Sequence, residues 1–182
     1  MNDNEEIEKL INESLNDNEN AFRLLIQHIE TEMYKIAKIK LKDEEFIYEA
    51  VQNTIILIYK HLKKLKNKKL FRTWSMKILI NECNKEYKKL KKYKLNNLEY
   101  DNTCKVLTYD EYDKVESELN MQKLLKCLND NEKIVIMLYY NDDFTTKEIS
   151  NILKEPEGTI KSRICRAKNK IKEYVKEKNF YG

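Results

Sequence analysis

Two glycines and one proline among 182 residues leave this chain almost without the residues that make tight turns. A sheet protein of this length needs such a turn every ten residues or so, whereas helices need only caps. The apolar residues agree, recurring at helical rather than alternating spacing. Ile7, Leu10, Ile11 and Leu15 form a short stripe. A longer helix, with Asn20 as its expected cap, carries Phe22, Leu25, Ile26, Ile29, Met33, Ile36 and Ala37. A third is expected from near Asp43 through Val51, Ile55, Ile58 and Leu62. A fourth, from about residue 70 to 90, buries Phe71, Met76, Leu79, Ile80, Cys83 and Tyr87. These four predict a bundle over residues 1–92. Residues 93–115, rich in Asn, Asp and Tyr, hold no sustained period and read as a flexible linker. Helical signals return over residues 116–182, first at Leu119, Leu124, Leu125 and Leu128, then at Ile134, Val135, Met137 and Leu138. The expected fold is all-α, two small helical domains joined by the linker.

Several functions are disfavoured by what the chain contains. Its longest apolar runs fall short of the roughly 18 residues that cross a bilayer, and its first residues (MNDNEEIEKL) are acidic where a secretory signal is basic. A cytoplasmic protein without membrane insertion is expected. Cys83, Cys104, Cys127 and Cys165 stand far apart, with only His28 and His61 to assist them, which predicts neither a metal site nor disulfides. With no Gly-rich phosphate loop and no Ser, His and Asp set, neither catalytic residues nor a cofactor are expected.

Charge is segregated along the chain, although the net value is only +4. Residues 1–20 hold one Lys against seven acids; residues 60–94 hold fourteen cations against Glu82 and Glu86. Residues 95–120 turn acidic again, and residues 154–178 carry nine cations against four acids. Such blocks point to a nucleic-acid partner. The last block is organised. Thr145 and Glu148 match a capping box that opens a short helix burying Ile149, Ile152 and Leu153, and Pro156 then suits the first turn of another. On that last helix Ile160, Ile164, Ala167, Ile171 and Tyr174 share one stripe, whereas Lys161, Ser162, Cys165, Arg166 and Asn169 lie opposite, with Thr159 at the leading end. Arg163, near the border, is expected to pair with a carboxylate, and Lys170 to meet phosphate. A capped helix, a tight turn and a helix with an outward face of donors make a helix-turn-helix, whose second helix reads base edges in the major groove.

The segments "KEISNIL" and "EGTIKSRICRAKNKI", with the spacing between them, resemble region 4 of the extracytoplasmic-function (ECF) sigma factors. In the first half, "AFRLLIQHIETEMYKIAKIKLKD", "EAVQNTI" and "FRTWSMKILINECNKEYKK" are similar to region 2 of the same family. The resemblance implies a region 2 over residues 1–92 that binds core RNA polymerase and melts the −10 element, and a region 4 over residues 116–182 that reads the −35 element. It implies contacts with the polymerase clamp helices through Glu49, Gln52 and Asn53, contacts with the flap, promoter DNA as substrate surface, and an anti-sigma factor as partner. Glu49 and Asn53 stand where the family usually has Asp and Glu. Lys154 replaces the usual Gly of the turn, Glu155 and Pro156 an apolar residue and a Ser, and Asn129 a Pro before the second region 4 helix.

A second DNA face follows from the fourth helix, where Lys77, Asn81, Asn84 and Lys88 share a side with Trp74 at its edge. An aromatic flanked by cations and amides can stack on an unpaired base while Lys66, Lys68 and Lys69, in the loop before it, neutralise phosphate. The alternative for Trp74 is an ordinary core position. For the chain, the alternatives are a stand-alone helix-turn-helix regulator, which needs a dimer and leaves the fourth helix unexplained, and a helical adaptor that uses its basic faces on acidic proteins.

Overall fold

A computed structural model describes residues 3–96 and 123–177. The described elements are helices and turns: α1 (Asp3–Leu15), α2 (Glu19–Leu41), α3 (Glu44–His61), α4 (Phe71–Asn96), α5 (Asp130–Ile136), α6 (Thr146–Leu153) and α7 (Glu157–Glu177). Two short 3-10 turns, Leu62–Lys64 and Lys68–Leu70, join α3 to α4. The expected linker, with Cys104, lies outside the described residues except for 93–96, and so does Leu119 of the helical signal that follows it.

Caps set most of the boundaries. Asp43 and Thr145 accept hydrogen bonds from the amides of Glu45 and Glu148, opening α3 and α6 where the sequence predicts. Asn129 and Glu132 form a second reciprocal capping box at α5. The cap of α2 is Asn18 rather than Asn20: its side chain accepts from the Ala21 amide at 3.1 Å, so the helix starts early enough to bury Ala21. The fourth helix also runs past the expected domain edge at 92, to Asn96.

Packing of α1 to α4 on one another encloses Leu25, Ile29, Met33, Ile36, Ile47, Ile58, Phe71, Met76 and Leu79, all fully buried. Each such side chain contributes about 1.5–3 kcal/mol relative to exposure. Tyr87 was expected on this stripe and is instead 52% exposed. At that level the inward direction falls on Glu86, three residues after Cys83 rather than four, and Lys89 satisfies one of its oxygens at 2.8 Å. In the second half α5 and α6 pack on α7, and Val135, Ile149, Ile152, Ile160, Ile164 and Ala167, with Leu138 from the turn after α5, are buried there. Between α5 and α6 the chain widens into one π turn, Met137–Asn141, closed by Asp142 N–H to the Met137 carbonyl. The halves also touch each other: α4 packs on α6, and α2 on α5.

Candidate nucleic-acid interface

Residues 145–177 form the helix-turn-helix that the sequence predicts. At the turn Lys154 takes the left-handed conformation, φ 58° and ψ 39°, that a glycine would adopt freely. Neighbouring groups hold it there. The amides of Lys154 and Glu155 both donate to the Ser150 carbonyl, and Ser150 Oγ donates to the Glu155 carbonyl at 2.6 Å. Pro156 stands just before α7, its carbonyl accepting from the amides of Thr159 and Ile160. Arg163 grips Glu155 with both guanidinium nitrogens, at 3.1 and 2.6 Å, locking α7 against the turn as the carboxylate pairing predicts.

Ile160, Ile164 and Ala167 face inward on α7, while Lys161, Ser162, Cys165, Arg166 and Asn169 are all exposed and Thr159 is half-buried. Lys161 lies 2.8 Å from Glu157, one turn back on the same helix, an exposed pair that costs little to part. Glu157 also accepts from the Thr146 hydroxyl, and the hydrogen bonds from Lys161 and Thr146 hold its carboxyl below the usual range. Lys170 departs from expectation. Its ammonium sits between both oxygens of Glu132, at 2.7 and 2.9 Å, and so ties α7 to α5 rather than waiting for phosphate. Burial alone would raise the Glu132 pKa; Lys170 and the Asn129 amide outweigh it and hold the group charged.

On α4 the candidate strand-binding residues divide. Asn81, Asn84 and Lys88 line a shallow groove of about 520 Å³ between α3 and α4, shared with His61, Ile78 and Lys85. Charge and periodicity did not single out His61, whose buried Nδ1 has no hydrogen-bond partner, or Lys85, which pairs with the buried Glu82. Trp74 and Lys77 are half-buried and do not line the groove. Trp74 rests on the core, its ring 6.3 Å from that of Phe71. In the preceding loop Lys66 and Lys69 are exposed, and Lys68 is held by Asn12 of α1. Glu49 and Gln52 are exposed on α3 and Asn53 is half-buried; Lys89 lies 3.7 Å from Glu49. The same helix exposes Tyr48, Ile56 and Tyr59, an apolar contribution that charge alone does not reveal.

Among the described residues, no group of three His, Cys, Asp or Glu could hold a metal, and no helix is long and apolar enough to cross a membrane. Cys83 is enclosed in the core, where burial pushes its thiol up to about 12.

Residues 124–173, which include α5, α6, the turn and most of α7, match the family "Sigma-70, region 4". The chain has the fold of a sigma factor. It superposes on the sigma factor RpoE from Bartonella quintana, in a complex with the anti-sigma factor NepR, with a TM-score of 0.67 at 19% identity, covering 85% of this chain and 96% of that one. It also superposes on CnrH, in a complex with the cytosolic domain of CnrY, with a TM-score of 0.63 at 18% identity, covering 94% of this chain and 98% of that one. No curated protein matches the chain. Residues 124–173 thus match region 4, and the chain as a whole shares the fold of these two structures.

Proposed function

We propose that the chain directs core RNA polymerase to promoters, reading the −35 element with α7 and holding the melted −10 strand with α4 and the loop before it. The single observation that carries this reading is α7, a helix whose inner stripe is buried and whose outer face is a row of exposed donors, placed by a capped helix and a locked turn inside a region 4 match. Lys161, Ser162, Arg166 and Asn169 supply base-reading groups, with Thr159 and Cys165 beside them. Lys66, Lys69 and Lys88 supply phosphate contacts, and Asn81 and Asn84 amides for an unpaired base. Trp74 would stack from its half-exposed edge. Glu49, Gln52 and Asn53, with the apolar side chains of α3, would dock on the polymerase clamp helices, and the region 4 half on the flap. The protein acts by binding, without chemistry of its own, and in a reducing cytoplasm its thiols would stay unpaired. By analogy with the NepR and CnrY complexes, an anti-sigma factor is the expected regulator.

In vitro transcription with core polymerase and a pool of random promoters tests the proposal. Discrete start sites preceded by two shared motifs support it; transcripts no different from those of core enzyme alone overturn it.

A further inference from the structure

The cations of α7 divide by flank. At about 100° per residue, Arg163 and Lys170 fall together on one side of the outward face, and Lys161, Lys168 and Lys172 lie within about 40° of one another on the other side. The first flank is engaged inside the fold. Arg163 holds Glu155 and Lys170 holds Glu132, so each charge is cancelled by a carboxylate from outside the helix. On the second flank Lys161 meets only Glu157 of its own helix, and among the described residues no carboxylate pairs with Lys168 or Lys172, both exposed.

Lys168 has two neutral partners instead. Its ammonium lies over the ring of Tyr140, 5.1 Å from the centroid, and over that of Tyr139 at 6.0 Å. Both rings belong to the π turn Met137–Asn141, whose wider path sets successive side chains closer in angle than an α-helix does. They meet edge to face, with centroids 4.8 Å apart. Tyr139 packs against the core and Tyr140 is 45% exposed, so one ring anchors the pair and the other carries it to the surface. An aromatic face attracts an ammonium through its quadrupole, which restrains the side chain and leaves its charge in place. A carboxylate would have cancelled that charge. The difference matters on duplex DNA, where a cation contributes by displacing the counterions condensed on phosphate.

We propose that Tyr140, backed by Tyr139, positions Lys168 as a phosphate contact of α7, and that the helix neutralises the DNA backbone from the Lys168 flank rather than the Lys170 flank. The inference rests on the duplex reading proposed for α7. Lys168 stands at the border between the outward donors and the buried Ile164, one turn further along the helix, where a side chain meets the wall of a groove rather than its floor. Contacts of that kind fix the register of a recognition helix on the duplex without reading sequence. Tyr140 is a positioning residue, acting on DNA through Lys168 alone.

The test uses the full-length chain and a short fluorescein-labelled AT-rich duplex of fixed sequence, titrated by anisotropy at several salt concentrations, with circular dichroism to check that each variant is folded. Lys168→Ala is expected to flatten the dependence of log affinity on log salt by about 0.9, the loss of one phosphate contact. Lys170→Gln, which can still donate to Glu132, should leave that slope unchanged. Tyr140→Leu should weaken binding about two- to fivefold, Tyr140→Phe should match wild type, and Tyr140→Leu should add nothing on top of Lys168→Ala. A slope unmoved by Lys168→Ala, or moved as much by Lys170→Gln, overturns the contact. Additive losses from Tyr140→Leu and Lys168→Ala, or Tyr140→Phe as weak as Tyr140→Leu, overturn the positioning. A wild type that binds the duplex at no salt concentration overturns the duplex reading of α7 and this inference with it, while transcription from the promoter pool reports separately on the direction of polymerase.

Discussion

Arg166 and Lys170 are both cations of α7, and only the structure separates their work. Arg166 is exposed among the outward donors; Lys170 is clasped by Glu132. Arg166→Ala should cost about 1–3 kcal/mol of promoter affinity and relax preference at one −35 position, whereas Lys172→Ala, at an exposed site further along, should weaken all sequences alike. Binding to a panel of −35 variants checks this; equal losses from both would remove base reading from Arg166. Glu132 carries a pH dependence. Its carboxyl is held below its ordinary 4.5, so its stabilisation is complete above that value and is lost as pH falls through the lower folded value. Glu132→Gln should therefore be about 1–2 kcal/mol less stable at neutral pH, with the gap closing in acid below that ordinary value, as urea unfolding at several pH values would measure. The outward face of α7 was legible because a helical wheel is a local property. The pairing of Lys170 was not, because its partner lies on another helix 38 residues away.

Among the elements, α3 and α4 carry the predictions that distinguish docking from melting. Glu49→Lys places a cation beside Lys89 on an exposed face and should abolish co-purification with core polymerase without changing helix content. Retained binding would exclude this face as the clamp contact. Trp74→Ala should leave closed complexes on duplex promoters nearly unchanged while suppressing permanganate-reactive thymines, a defect that a pre-melted bubble repairs. Loss of folding would make Trp74 a core residue only. The capping boxes at α5 and α6 show what sequence reveals well, since both partners of each contact lie within four residues. Thr145 and Glu148 were readable on that basis. The swing of the inner face from Tyr87 to Glu86, and the π turn after Ile136, depend on what the neighbouring helices leave room for, and no local pattern carries them.

At the scale of the molecule, sequence suggested two bodies on a tether, and the described helices add a direct joint between them. Arg72 and Phe144, or Lys42 and Asp130, are too far apart in the chain for charge or periodicity to pair them. Helical class and the helix-turn-helix were legible because turn-poor composition and amphipathic stripes depend on short-range order. Lys154 brings the local and the global together. A glycine in its place would relieve the left-handed backbone, a gain of about 1 kcal/mol, but would have no ammonium to reach Asn81. Lys154→Gly should thus raise the melting temperature by a few degrees and, in the same molecule, increase the population of separated halves. Scanning calorimetry and scattering would read the two changes independently. A turn residue that is poor for folding would then trade durability of the turn for a contact between the halves, its side chain helping to decide how firmly they hold together.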